Sequence, residues 1–250
     1  MKPKVEIEVC CDGWAEACAA EEAQVDRIEL CCGIGEGGLT PSRGLMELVH
    51  EQLSVNCHVL IRPRSGDFLY AAEEIEIMKR DVLLCKEIGM EGVVFGFLTA
   101  DGEIDISLTK EFVELARPMK VCFHRAFDMC IDPLKALEEL KQIGVDYILT
   151  SGQAATAPQG ADLLKKLVQQ QGDHLKIMPG AGVRAHNLKA LMRQTGASAF
   201  HMSARIYKDS SMKYRKSSVS MGAQSLDAEY QIQSHEVEAL KAAVEISGKW

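Results

Sequence analysis

Eight short apolar, β-branched runs recur along this chain, and amphipathic helical stretches fill the intervals between them. The runs read as strands over residues 5–10, 27–32, 57–62, 92–97, 120–125, 147–151, 176–180 and 199–203. Helical spacing appears over 71–88, 108–116, 133–143, 161–171 and 187–195, among other segments. Gly89, Gly144 and Gly196 stand where helices end, and Asp132-Pro133 stands where one begins. A helix closed by glycine, a short turn and a buried apolar run form the repeating unit of a parallel sheet. Eight such units in 250 residues match an α/β TIM (β/α)8 barrel, a single domain over residues 1–250. A doubly wound open sheet is the runner-up, but it normally uses fewer strands. Residues 206–234 read as a long polar loop and 235–246 as the last helix.

Composition narrows the partners. A formal net charge of -8 leaves no basic excess to neutralise phosphates, so nucleic acid is excluded as the main partner. The basic cluster at 208–216 reads as a solvated loop. No apolar run is long enough to span a bilayer, so no membrane role is expected. The start MKPKVEIEVCC places acidic residues where a signal peptide needs an apolar stretch. A cytoplasmic protein is therefore expected. Nine cysteines, an odd number, suit reduced thiols better than a secreted disulfide framework.

Two strands carry the same unusual pattern. IEVCCD (7–12) and IELCCG (28–33) each hold a glutamate in the interior and end in two adjacent thiols. Strand alternation puts Glu8 with Cys10 on one face and Glu29 with Cys31 on another. A carboxylate facing the helices would be costly, so both glutamates should point into the barrel with Cys10 and Cys31 at its mouth. Cys11 and Cys32 have the opposite parity. Cys18, Cys57, Cys85 and Cys122 read as core filler.

Other strand ends supply charged and polar candidates. Arg62, Arg64 and Asp67 lie in IRPRSGD; His124, Arg125 and Asp128 lie in FHRAFD; Thr150 and Ser151 end the sixth strand; His201, Ser203 and Arg205 end the eighth. Any one could belong to a structural ion-pair network. Together, at the catalytic end of a barrel, they point to a site. After the seventh strand, Gly180 and Gly182 in MPGAGV would let backbone N–H groups approach a phosphate, with Ser203 or Arg205 completing the cradle. Thiolates from neighbouring strand ends would select Cu(I), although no cysteine spacing matches a structural zinc site.

EVCCD, DRIELC, EGGLTPS, IRPRSGDF, FHRAFDM, LTSGQ, MPGAGV and MKYR together resemble the CutC family of copper homeostasis proteins, over about residues 5 to 222. The resemblance implies a TIM barrel, a cytoplasmic location, a homo-oligomer, and Cu(I) bound by Cys10 and Cys31. The sequence departs from the family pattern in having Cys32 after Cys31, which leaves Cys32 as a third candidate ligand, and Ser65 where glycine is usual.

Two functions follow. In the first, the chain binds a copper ion, Cu(I), through Cys10 and Cys31 with Cys32 in reserve. In the alternative, it is an enzyme acting on a small anionic metabolite, phosphorylated or not. Glu8, Glu29 or His124 would then be the general acid or base, and Arg62, Arg64 and Arg125 would bind the anion.

Overall fold

The alternating pattern closes on itself. The computed structural model describes residues 4–216, 218–219, 221 and 228–249. Its strands are β1 (Glu6–Cys11), β2 (Arg27–Leu30), β3 (Asn56–Leu60), β4 (Gly92–Phe95), β5 (Lys120–Phe123), β6 (Tyr147–Thr150), β7 (Lys176–Pro179) and β8 (Ala199–Met202). They pair in the order β7-β6-β5-β4-β3-β2-β1-β8, and every pair is parallel. β7 and β8 lie against each other without a hydrogen-bonded ladder among the described residues. The result is a nearly closed TIM barrel, as the repeat of eight units predicts.

The helices are α1 (Trp14–Glu22), α2 (Arg43–Gln52), α3 (Ala72–Ile88), α4 (Ile106–Ala116), α5 (Pro133–Gln142), α6 (Ala161–Gln170), α7 (Ala185–Thr195) and α8 (Val237–Gly248). Local chemistry sets their ends. Asp132 accepts hydrogen bonds from the Leu134 and Lys135 amides ahead of Pro133, and Asp105 caps α4 through the Leu108 amide. Gly89 and Gly196 end α3 and α7 with φ of 97° and 72°, a conformation only glycine adopts without strain. None of the helices among the described residues is long and apolar enough to cross a membrane.

Two cores result from strand alternation. Outward side chains such as Ile7, Val9, Ile28, Val59 and Phe95 pack under the helices, together with Cys11, Cys57 and Cys85. Cys11 therefore lies under helices, as its parity predicts. The inward core takes one side chain from each barrel position: Cys10, Cys31, Leu60, Val94, Cys122, Leu149, Met178 and Ala199. Half of these carry sulfur, which fills irregular space well.

The polar stretch 206–234 is not simply a loop. Its ends form an antiparallel ribbon, β9 (Arg205–Asp209) and β10 (Gln231–His235), in which His235 pairs with Arg205. Residues 217, 220 and 222–227 of that stretch lie outside the described residues. The ribbon is fastened to the barrel by His235, whose Nε2 donates to the Cys10 carbonyl over 2.8 Å.

Candidate functional site

Glu8 is partnered by one strand-end residue the sequence singled out, His201, and by one it did not, Arg27. Glu8 is fully buried. It accepts from Arg27 Nε at 2.5 Å and from His201 Nδ1 at 2.7 Å. Register explains this: Glu8 lies level with Arg27 on β2 and with His201 on β8. Burial opposes ionisation of Glu8, but the Arg27 and His201 charges prevail and hold it well below the usual carboxylate range. His201 is correspondingly held in the charged form: burial works against the charge, and Glu29, Cys10 and Glu8 overcome it. Below this group, Arg27 also reaches Glu6 at 3.4 Å, and Lys176 binds Glu6. His58 lies beside Glu8 at 3.8 Å, and its pKa is pushed down to about 3 by burial and by Arg27. A Cβ at residue 92 would come within 2.3 Å of the His58 ring. Glycine at Gly92 is therefore what makes room for that imidazole.

One layer higher are the thiols. Cys10 Sγ and Cys31 Sγ are 3.6 Å apart, and all nine cysteines are free. The order of donation is set by the Cys11 carbonyl, which accepts from Cys31 at 3.5 Å, so Cys10 donates to Cys31. That bond, with burial, raises the Cys10 thiol well above its ordinary range. The same bond favours a Cys31 thiolate, but burial and Glu29 outweigh it and Cys31 is also raised. Cys32 is not part of this pair. It lies just past β2, bridged to Leu39, with its thiol donating to the Thr40 carbonyl at 3.1 Å. A second grouping includes Cys10: its sulfur, a Glu29 oxygen and a His201 nitrogen lie within 4.8 Å of one another. Among the described residues, this is the one set of three such groups close enough to share a metal ion.

Above the thiols, the mouth opens into a cavity of about 330 Å³, within the size range of small-ligand sites. Cys10, Glu29, His201, Arg62 and His124 all line it. Arg125, Gly182, Ser203 and Arg205 line it too, together with Arg184, a residue the sequence did not single out. Glu8, Cys31 and Gly180 do not reach it. Glu8 and Cys31 are sealed in the layers below, and Gly180 instead lets Leu149 pack, since a Cβ there would fall 2.4 Å from Leu149 Cδ1. Arg64 turns away to Glu74 at 2.6 Å and Asp67 at 3.0 Å. Asp128 is engaged at the cavity's edge. It accepts from Thr150, the Ser151 amide and hydroxyl, the Gln153 amide and Arg125, which occupies Arg125 as well.

The strand-end arginines Arg62, Arg64 and Arg125 do not pair with Glu8 or Glu29. Arg62 bonds instead to the carbonyls of Glu36, Gly38 and Gly66. Among the described residues, Arg62, Arg184 and Arg205 form no ion pair. His124 is neutral: burial and then Arg62 bring its pKa down to about 3. It has little capacity to take up a proton near neutral pH.

Comparison with known proteins agrees with this barrel. A family model described as the CutC family matches residues 5–206, most of the chain. The chain belongs to the CutC family. A CutC family protein from Chromobacterium violaceum is 45% identical over 241 residues, covering 96% of this chain and 98% of that one. A human relative named copper homeostasis protein cutC homolog is 46% identical over 231 residues, 92% of this chain and 85% of the relative. The solved structure of a CutC from Streptococcus agalactiae superposes with a TM-score of 0.76 at 28% identity, covering 79% of this chain and 98% of that chain. Phosphoribosyl anthranilate isomerase from Thermotoga maritima, at 11% identity and TM-score 0.59, shares the fold alone. The CutC match stops at residue 206, so β10 and its His235 clasp lie beyond it.

Proposed function

We propose that this CutC-family chain serves copper homeostasis in the cytoplasm. It would take Cu(I) as cargo on Cys10 and Cys31 at the base of the barrel-mouth cavity. The observation that carries this reading is the 3.6 Å approach of the two sulfurs, with Cys10 open to the cavity. Thiolates are the ligands that select Cu(I), and Glu29 and His201 stand close enough to Cys10 to complete the coordination. Both thiols must lose protons as the ion binds, and His201 must give up its extra proton before its ring nitrogen can join them. The names of the human and mouse relatives support the same assignment. Nine free thiols also suit a reducing compartment. The test is an anaerobic Cu(I) titration against a chromophoric chelator. Tight binding by the parent should be lost in a Cys10→Ser/Cys31→Ser double variant and kept in Cys32→Ser. Equal binding by parent and double variant would refute the assignment.

A second reading, an enzyme for a small anionic metabolite, is favoured by one observation. Arg62, Arg184 and Arg205 line the cavity without a carboxylate partner among the described residues. Glu29 and His201, which face the same space, would then be the groups that move a proton. Screening phosphorylated and carboxylated metabolites for turnover by NMR tests this reading, and Glu29→Gln should abolish any turnover found.

A further inference from the structure

The ends of β3 and β5 form one wall of the cavity, and that wall carries two polar hydrogens with nothing to bond. His124 Nδ1 accepts the Ala126 amide hydrogen at 3.2 Å, so the neutral ring carries its own proton on Nε2. That Nε2–H has no partner among the described residues. Arg62 Nε likewise makes no hydrogen bond of good geometry; the Tyr70 hydroxyl lies near the guanidinium, and the other guanidinium nitrogens bond to three carbonyls. The residues are only 5% and 6% exposed. An unpaired buried donor costs about 1–3 kcal/mol, and native proteins contain few of them. Two on one cavity wall call for an acceptor.

Packing holds both donors in place. A Cβ at residue 96 would meet His124 Nδ1 at 2.6 Å, and one at residue 37 would meet an Arg62 terminal nitrogen at 2.9 Å. Gly96 and Gly37 therefore leave space shaped to these side chains. The Phe68 ring covers the pair: its centroid is 4.8 Å from the His124 ring and 5.1 Å from the Arg62 guanidinium carbon. Phe68 is itself half-buried, lines the cavity, and belongs to the connection between β3 and α3.

We propose that Arg62 Nε–H and His124 Nε2–H are a donor pair for one oxyanion group, carboxylate or phosphate, of a small metabolite, and that Phe68 turns aside to admit it. The inference rests on the anionic-metabolite reading and assigns that reading its binding wall. It gives His124 the role of neutral hydrogen-bond donor rather than proton acceptor. It also differs from the phosphate cradle usual in this fold, which lies after strands seven and eight. That position is taken here by Gly182, Arg184 and Arg205, across the mouth.

The test uses the full chain with 15N-labelled histidine, titrated separately with inorganic phosphate and with acetate, while the His124 Nε2–H resonance is followed. A saturable shift is expected with at least one anion, and comparing the two shows which oxyanion the wall prefers. His124→Asn keeps an acceptor for the Ala126 amide and deletes the Nε2–H. It should weaken binding by about 10- to 100-fold, the equivalent of one hydrogen bond to a charged group. With this variant, which has no resonance to follow, affinity is read by calorimetry. Arg62→Lys should weaken binding comparably, Arg64→Gln should leave it unchanged, and Phe68→Ala should strengthen it severalfold. If His124→Asn binds as the parent does while Arg184→Gln or Arg205→Gln loses the anion, the donor pair is refuted and the metabolite reading survives. If neither anion binds the parent, both fall.

Discussion

Replacing Glu8 by Gln keeps the shape of the side chain and removes its charge. In the parent, that carboxylate is fully buried and faces two cations, Arg27 at 2.5 Å and His201 at 2.7 Å. Breaking a buried ion pair by neutralising one partner costs about 3–5 kcal/mol, because the surviving charge stays buried without compensation. Glu6, at 3.4 Å from Arg27, offers partial relief, so the lower half of that range is expected, about 3–4 kcal/mol. For a chain of this size, 1 kcal/mol corresponds to roughly 2–4 °C in Tm, giving a fall of roughly 6–16 °C. Urea denaturation of parent and variant measures the difference directly. Its pH dependence has a definite sign. The folded-state pKa of Glu8 is depressed, so its contribution is complete above the ordinary glutamate value near 4.3 and is lost as pH falls through the depressed value. The gap between parent and variant should therefore be constant from about pH 5 to about 6.5, close in strong acid, and narrow above pH 6.5 as His201, whose charge Glu8 helps to hold, loses its proton in the parent. A gap below about 1 kcal/mol at pH 7 would refute the claim that this carboxylate balances both cations.

Further expectations concern other parts of the barrel. Gly92→Ala places a methyl 2.3 Å from the His58 ring and should cost about 1–3 kcal/mol in urea denaturation, as overpacking does. Asp128→Asn cannot serve all the donors that converge on Asp128. It should lose about 2 kcal/mol and speed amide exchange at Ser151 and Gln153. His58 and His124 are both held neutral down to about pH 3. The unfolded chain protonates them near pH 6.5, so native stability falls as pH drops from 6.5 towards 3, by up to about 1.4 kcal/mol per unit for each ring. His124→Asn should reduce that slope by one proton. His201 works in the opposite sense: its raised folded-state pKa gives a contribution complete below 6.5 and lost as pH rises through the raised value. His235→Phe should release the β9–β10 ribbon, detected as faster amide exchange over Arg205–Asp209 and Gln231–His235.

The barrel itself was legible because glycine punctuation and apolar runs recur with one spacing, and because a strand's side chains alternate strictly. Alternation alone places Cys10 inside and Cys11 under the helices. It does not reveal the height at which one strand sits beside the next. For that reason His201 is legible among the strand-end candidates, whereas nothing in the sequence marks Arg27, the first residue of β2, which the register sets beside Glu8. Arg64 lies past Pro63, where alternation no longer holds, and its carboxylate partners come from the start of α3 and from its own loop. The β9–β10 ribbon is mostly exposed, so no apolar pattern announces it. Arg184 and His235 carry no local signal either: one reaches the cavity from the entry to α7, the other bonds to the Cys10 carbonyl from the far end of the chain.

The pairing of β1 with β8 also has a consequence in time. Strands β2 to β7 each find a neighbour among segments made just before them, but one side of β1 waits for residues 199–202. At roughly 5–20 residues per second of synthesis, the interval is on the order of 10–40 s. Throughout it the nascent chain presents an unfinished strand edge at Glu8, whose His201 counter-ion has not yet been made, beside Cys10 and Cys11. Protection of that edge during translation is therefore a requirement placed on the cell by the barrel's last strand.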